Sequence, residues 1–132
     1  MSIFIQKQPM KELLYVFLGG GLGSSLRYII TLFINEENNT SIPWGTFAVN
    51  LMGCFLIGLF YHFFNQSAMT TKFFLLSITG FCGGFTTFST FAWENVQLLK
   101  NGLFLPFILY SIGSLLFGVL GVLLGIYLAK QF

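Results

Sequence analysis

Apolar residues fall into four long runs that are separated by short polar connections. The runs cover residues 13–34, 43–64, 73–93 and 103–129, and the connections cover residues 35–42, 65–72 and 94–102. Each run is long enough to cross a bilayer as a helix, which takes about 20 residues. None has the alternation of a membrane β-barrel strand. The pattern predicts an all-α membrane protein whose 132 residues form one domain of four transmembrane helices.

The composition supports a membrane protein. Apolar residues make up 55% of the chain and charged residues only 8%, whereas soluble domains carry about 25% charged residues. The net charge of +2 comes from scattered side chains that form no basic patch, so a soluble enzyme and a nucleic acid-binding protein are excluded. Cys54 and Cys82 lie inside apolar runs without a CxxC spacing, and we expect buried thiols there rather than a disulfide or a zinc site.

The lysines predict the orientation of the chain in the membrane. An even number of crossings places both termini on one side, which collects Lys7, Lys11, Lys72 and Lys130, while the loops of the other side contain Lys100. The positive-inside rule then places both termini in the cytoplasm. The first apolar run is too long for a signal peptide and ends in no cleavage motif, so we expect the N-terminus to remain on the mature protein.

The first span carries an arginine at membrane depth. Arg27 lies about 21 Å along the helix from Leu13, at 1.5 Å per residue. An arginine inside the bilayer costs about 2.5–3.5 kcal/mol and pairs with a partner or faces a cavity, unless it snorkels to the interface. Snorkelling, a raised local potential for anions and a contact that holds helix ends together all stay open for Arg27. The glycines that precede it suit close packing against another helix.

The second and fourth spans each place polar groups on one helical face. Thr46, Asn50 and Gly53 are spaced at i, i+4 and i+7, which brings them to one side of a helix. Asn50 suits either a hydrogen bond between helices or a donor that faces a hydrated path. Tyr110 and Ser114 begin a stripe that continues with glycines. That stripe suits either a packing seam or a track of hydroxyls beside a conduit.

The third span is unfavourable for a regular helix. Its segment TGFCGGFTTFSTF is rich in Gly and Thr, and each Gly costs a helix about 1 kcal/mol relative to Ala. The segment predicts a break in this helix. Because backbone groups exposed at mid-membrane are tolerated where they bind ions or line a cavity, we expect an ion site near residues 83–87. Phe88 and Phe91 share a face at i and i+3, and their ring edges suit either weak contact with an anion or ordinary packing.

Three motifs follow one another along the first three spans: GGGLGSSLRY, WGTFAVNLMG and GFCGGFTTFSTFAWE. In this order they resemble the CrcB/Fluc family of fluoride channels over essentially the whole chain. The resemblance implies an antiparallel dimer with two pores along the subunit interface. It also implies passive, selective export of F⁻ from the bacterial cytoplasm across the inner membrane, which relieves fluoride toxicity.

The resemblance also implies roles for particular residues. Asn50 would donate to the anion, and the ring edges of Phe88 and Phe91 would line its path. The carbonyls of Gly83 and Thr86 would hold a structural Na⁺ at the dimer interface. The other pore residues that the resemblance implies are Arg27, Thr46, Glu94, Tyr110 and Ser114.

Two questions stay open at the level of sequence. The lysine bias favours one orientation, so the partner is either a second copy of the chain or an oppositely inserted sister subunit. The function has two alternatives, a small proton-coupled multidrug-type transporter and a holin-like scaffold. The first would need a glutamate inside span one, where Glu12 lies only at the start and Arg27 lies within. The second explains neither Asn50 nor the order of the motifs.

Overall fold

A computed structural model describes residues 9–66 and 70–132 of the chain. The expectations for the N-terminus and Lys7, and part of the 65–72 connection, fall on residues outside this description. All regular elements of the described residues are helices. The elements are α1 (Pro9–Glu37), α2 (Trp44–Asn65), α3 (Thr71–Phe74), a π-helical stretch (Leu75–Cys82), α4 (Gly83–Phe85), α5 (Phe88–Lys100) and α6 (Phe104–Ala129).

Four stretches are long and apolar enough to cross a membrane. They are Met10–Glu37, Trp44–Asn65, Thr71–Lys100 and Phe104–Ala129. We call Thr71–Lys100 the third crossing. Many large apolar side chains of these stretches are exposed, as a lipid environment allows. The prediction of an all-helical protein with four membrane-spanning helices is confirmed, and the chain is a multi-pass membrane protein.

Helix starts and ends follow local signals in the sequence. The side chain of Thr70 caps α3 by accepting the Phe73 N–H at 3.3 Å, as Thr does at helix N-termini. At the other end of the third crossing, Gly102 has a φ of 71°, in the left-handed region that favours glycine. The next N–H, of Leu103, donates to the Leu98 carbonyl at 2.9 Å. This reversal of the backbone ends α5 and starts the turn into α6.

The third crossing continues past the end of its apolar run. The sequence analysis placed a connection at residues 94–102, but α5 reaches Lys100 and the connection to α6 is residues 101–103. The predicted end at Trp93 was wrong because Glu94 was taken as a mark of the surface. Its carboxylate instead accepts hydrogen bonds from Thr46 and Tyr110 on two other helices, so the charge is satisfied inside the bundle.

Glycines bring α1 into direct contact with the first part of the third crossing. A methyl group added at Gly19 would overlap the Leu76 carbonyl oxygen, and one added at Gly23 would overlap the Phe81 carbonyl oxygen. The backbones of the two helices therefore touch, as small residues permit in membrane helices. These backbone contacts hold the two helices together where the glycines offer no side chain.

A second glycine contact joins α2 to α6. A methyl group at Gly125 would overlap the Phe55 carbonyl oxygen, and one at Gly121 would lie 3.2 Å from a methyl carbon of Leu51. One at Gly118 would lie 3.5 Å from the Cys54 sulfur. Of the two interpretations of the fourth-span stripe, the structure shows a packing seam for its glycine part.

Candidate functional site

Two residues between α4 and α5 have extended backbone. Thr86 has φ −84° and ψ 158°, and Thr87 has φ −148° and ψ 120°. The Thr87 N–H donates to Asn50 Oδ1 at 2.7 Å, and the Thr90 N–H donates to Thr87 Oγ1 at 3.2 Å. In a continuous α-helix these two N–H groups would donate to the carbonyls of Gly83 and Thr86. Both carbonyls therefore lose their helical donors at this step.

Asn50 connects α2 to the extended step. Its Nδ2 donates to the Thr87 carbonyl at 3.0 Å, while its Oδ1 accepts the Thr87 N–H. The hydrogen bond between helices is thus the interpretation that the structure shows for this amide. An amide nitrogen carries two hydrogens, and within residues 9–66 and 70–132 only one of them has an acceptor. The same side chain lines a cavity.

Glu94 joins three helices through its two oxygens. The Thr46 hydroxyl of α2 donates to Oε1 at 2.7 Å, and the Tyr110 hydroxyl of α6 donates to Oε2 at 2.7 Å. Thr46 is 2% exposed and Tyr110 is 1% exposed. Hydrogen bonds to a carboxylate are stronger than those between neutral groups. We call these three residues the Glu94 cluster, and it fixes the carboxylate between α2, α5 and α6.

Three aromatic rings lie in a row beside the extended step. The ring centroids of Phe88 and Phe91 are 5.9 Å apart, and those of Phe91 and Tyr110 are 5.1 Å apart. Phe88 is 80% exposed, whereas Phe91 is half-buried. The two phenylalanines thus lie side by side, as their spacing predicts.

Asn95 and Ser111 are polar residues that the sequence analysis missed. Asn95 is buried, its Nδ2 donates to the Phe91 carbonyl at 3.0 Å, and its Oδ1 accepts the Ser111 hydroxyl at 2.8 Å. Asn95 was overlooked because the third span was predicted to end at Trp93. The signal that identifies it is an amide placed directly after Glu94, once the helix is known to continue.

Arg27 reaches across from α1 to the same region. Its Nε donates to the Gly84 carbonyl at 3.0 Å, and the residue is half-buried. Of the interpretations that stayed open for this arginine, the structure shows the one that holds helix ends together. The carbonyl of Gly84 lies just before the extended step, and the guanidinium provides it with a donor.

A cavity of about 570 Å³ lies beside the extended step. It brings together six of the residues predicted for the site, and it does not reach Arg27 or the Glu94 cluster. Those six are Asn50, Gly83, Thr86, Phe88, Phe91 and Ser114, and Ser111 also belongs to the lining. The Ser114 hydroxyl is buried and has no hydrogen-bond partner in the described part of the chain. Cys54 and Cys82 also line this cavity, and both thiols are free.

Backbone oxygens are the candidate cation ligands. In the segments that the structure describes, no group of three or more His, Cys, Asp or Glu side chains lies close enough to hold a metal ion. Gly83 and Thr86 instead present carbonyl oxygens without helical donors. Carbonyls of unwound membrane helices are suited to Na⁺, so their chemistry fits the cation that the resemblance implies.

A protein-family model described as "CrcB-like protein, Camphor Resistance (CrcB)" matches residues 14–126. This chain belongs to that family. The match confirms the resemblance that the three motifs carry, and it spans the extended step, the Glu94 cluster and the Asn95–Ser111 pair.

Relatives with the name "Fluoride-specific ion channel FluC" align with nearly the whole chain. The one from Phocaeicola vulgatus is 52% identical over 121 residues, which are 92% of this chain and 100% of the relative. The one from Bacteroides fragilis is 47% identical over 126 residues, 93% of this chain and 99% of the relative. The one from Flavobacterium psychrophilum is 47% identical over 125 residues, 92% and 99% respectively. These names describe ion channels and not enzymes.

Proposed function

We propose that this chain is a fluoride-selective channel through which F⁻ leaves the cytoplasm passively. One observation carries the proposal: Asn50, Phe88, Phe91 and the extended step line one cavity, in a chain whose relatives are named fluoride-specific ion channels. Hydrofluoric acid crosses bilayers as a neutral molecule and dissociates at cytoplasmic pH. Fluoride therefore accumulates inside a cell, and a conduit for the charged ion relieves its toxicity.

The cavity offers an anion several weak contacts. Fluoride is small and strongly hydrated, so a selective pore replaces its water with donors from the protein. Asn50 has one N–H without an acceptor in the described chain, and Ser114 has a hydroxyl without a partner. The edges of the Phe88 and Phe91 rings carry partial positive charge. None of these groups carries a full charge, so the anion binds and leaves again.

The charged residues act outside the cavity in this proposal. Arg27 raises the local potential for anions while its Nε holds the Gly84 carbonyl. The Glu94 cluster lies next to the cavity wall, since the Tyr110 ring contacts that of Phe91. Since the hydroxyls of Thr46 and Tyr110 both donate to Glu94, an arriving fluoride competes with the carboxylate for those two donors.

An antiparallel dimer with two pores is part of the proposal. Gly83 and Thr79 are exposed in the single chain and lie beside the free carbonyls, and the neighbouring Phe88 is 80% exposed. Lipid cannot satisfy carbonyl groups at membrane depth. A second subunit on this face would cover them and close each cavity into a path. The family resemblance supplies the antiparallel arrangement, and we favour a second copy of the chain over a sister subunit.

A structural Na⁺ fits the carbonyls of Gly83 and Thr86. Each chain offers two oxygens, and a two-fold partner would supply two more. Bound there, the cation would neutralise carbonyl dipoles of both subunits and hold the dimer interface together. The two carbonyls are free because the helical hydrogen-bond pattern ends at Thr86 and Thr87. The N–H groups of Thr87 and Thr90 donate instead to the Asn50 and Thr87 side chains.

The lysines support insertion with both termini in the cytoplasm. Lys11 at the start of α1, Lys72 in α3 and Lys130 after α6 lie at one end of the bundle, and Lys100 ends α5 at the other. The positive-inside rule assigns the lysine-rich end to the cytoplasm. We propose the bacterial inner membrane as the location.

Fluoride efflux from liposomes tests the function. Vesicles with the full chain are loaded with KF or KCl, a potassium ionophore is added, and released halide is followed with an ion-selective electrode. We expect rapid F⁻ release and much slower Cl⁻ release. Phe88→Ile removes a ring edge from the cavity and is expected to slow F⁻ release about tenfold, which corresponds to about 1.4 kcal/mol.

The matched control is Phe33→Ile, which changes an exposed ring on α1, and we expect it to conduct like the wild type. Equal release of chloride would contradict the proposed selectivity. Activity of the chain without any second protein supports the homodimer. Fluoride release that appears only when a sister subunit is added would instead show a heterodimer.

A further inference from the structure

We propose that Asn95 and Ser111 are positioning residues that set the direction of the Phe91 ring and thereby the preference for fluoride over chloride. The inference rests on the proposed channel function. It concerns two side chains whose hydrogen bonds do not involve Glu94 and which are not among the anion donors proposed above.

The pair forms a complete bridge between α5 and α6. Asn95 is 7% exposed, its Nδ2 donates to the Phe91 carbonyl at 3.0 Å, and its Oδ1 accepts the Ser111 hydroxyl at 2.8 Å. A buried amide that loses a partner costs more than the bond contributed. The bridge therefore holds the backbone of Phe91, through one side chain, at a fixed distance from α6.

A second bond beside the first fixes rotation as well as distance. Tyr110 and Ser111 are consecutive in α6, and they donate to Glu94 and Asn95, which are consecutive in α5. Neighbouring residues of an α-helix point about 100° apart. Two such bonds hold α5 in one rotation about its axis, because a turn that shortens one bond lengthens the other. Phe91 lies one turn before Asn95, so its ring follows that rotation.

Neither the backbone that leads into α5 nor the packing of the rings sets this rotation by itself. The extended backbone of Thr86 and Thr87 separates α5 from α4, so α5 does not inherit its direction from the helix that packs on α1. The Phe91 ring meets Tyr110 at 5.1 Å and Phe88 at 5.9 Å between centroids. Ring contacts of this kind tolerate many angles, whereas the two hydrogen bonds do not.

Ser111 differs from Ser114 in what its hydroxyl does. Both residues line the cavity. The Ser111 hydrogen is used by Asn95, while the Ser114 hydroxyl has no partner among the described residues. We therefore assign Ser111 to holding the Phe91 ring. Loss of the Ser111 hydroxyl should let a wider range of anions pass, and not only slow the release of fluoride.

The test compares fluoride and chloride release from liposomes for Ser111→Ala, Asn95→Leu and the double variant. We expect each single variant to lower the ratio of F⁻ to Cl⁻ release about fivefold, the effect of one lost hydrogen bond. The double variant should be no worse than Asn95→Leu alone, because both changes remove the same bridge. Ser111→Thr keeps a hydroxyl and should retain most of the wild-type ratio of F⁻ to Cl⁻ release. Ser25→Ala, an exposed serine of α1, should leave it unchanged.

Several results would overturn the inference. An unchanged ratio in Ser111→Ala, with fluoride release retained, would show that the bridge does not set selectivity. A parallel loss of both ions at constant ratio would show a merely structural role, and additive losses in the double variant would show that the residues act separately. A wild-type chain that releases no fluoride would refute the proposed function and the inference with it. Because Ser111→Ala removes only a hydroxyl, it decides the question even if Asn95→Leu does not fold.

Discussion

The first half of the third crossing, residues 71–85, and its second half, Phe88–Lys100, are held by different kinds of contact. The first half lies against α1 with backbone touching backbone at Gly19 and Gly23. The second half is held by side-chain hydrogen bonds that Glu94 and Asn95 accept from hydroxyls of α2 and α6. Of the two extended residues between the halves, Thr87 is paired with Asn50.

The first half acts as a rigid scaffold, whereas the second half is held by groups that can be adjusted. Backbone contact at glycines depends on the absence of side-chain atoms, and it tolerates no added volume. Hydrogen bonds between side chains set direction, and they can be changed one at a time. Asn50 makes hydrogen bonds through its side chain, and the rings of Phe88 and Phe91 lie in the half of the crossing that such bonds hold. We therefore expect substitutions in the first half to affect folding and substitutions in the second half to affect conduction.

The largest effect is expected from Gly23→Ala in the scaffold. The added methyl group would overlap the Phe81 carbonyl oxygen. Because this clash is with backbone, we expect a cost at the upper end of the about 1–3 kcal/mol typical of overpacking, or above it. We expect the variant to lose most of its properly folded protein, measured as the monodisperse fraction on size-exclusion chromatography after heating in detergent. Gly21→Ala is the matched control, since nothing lies within 4 Å of its added methyl. Equal behaviour of the two variants would remove the proposed distinction.

A smaller effect on stability and a large one on conduction are expected from Asn50→Asp at the junction of the halves. The change removes the Nδ2 donor to the Thr87 carbonyl and places a carboxylate oxygen beside that carbonyl. The unsatisfied group costs about 1–3 kcal/mol, and we expect fluoride release to fall at least tenfold. The control is Asn38→Asp, whose amide also donates to a carbonyl, that of Ile34, but at an exposed helix end. A fully active Asn50→Asp would contradict the role of the junction.

The smallest effect is expected from Thr46→Val in α2, which removes one of the contacts that hold the second half. The change keeps the shape of the side chain and removes one of the two donors to Glu94. The carboxylate keeps its hydrogen bond from Tyr110, so we expect fluoride release to fall several-fold, less than in Asn50→Asp, while the protein stays folded. Tyr110→Phe removes the other donor and should act in the same direction. Heat stability as poor as that of Gly23→Ala would place the Glu94 cluster in the scaffold instead.

The membrane crossings were the most predictable feature of the sequence, and the contacts between helices were the least predictable. Apolar length alone predicts a transmembrane helix, because lipid requires only that the backbone bonds to itself and the side chains are apolar. The predicted end of the third crossing was wrong because a glutamate, taken by itself, indicates a position at the surface. Its two hydroxyl donors come from residues 48 positions earlier and 16 positions later in the chain.

The candidate site divides in the same way. Asn50, Phe88 and Phe91 were found from residue type and helical spacing, and the structure places all three at one cavity. Arg27 was found, but its contact stayed open, because the Gly84 carbonyl that it bonds lies 57 residues away. Asn95 was missed, since its importance depends on where α5 ends and on a serine that only the packing of α6 brings near.

The order of apolar and polar residues determined by itself that this chain crosses a membrane four times and that its third crossing carries unusual backbone. Its motifs identified the family, which the comparison with known proteins confirmed. Only the tertiary structure decided which carbonyls lose their helical donors, which hydroxyls satisfy Glu94 and what holds α5 in place. The reason is physical: hydropathy and spacing act within one helix, whereas a hydrogen bond between helices depends on the rotation and depth of both.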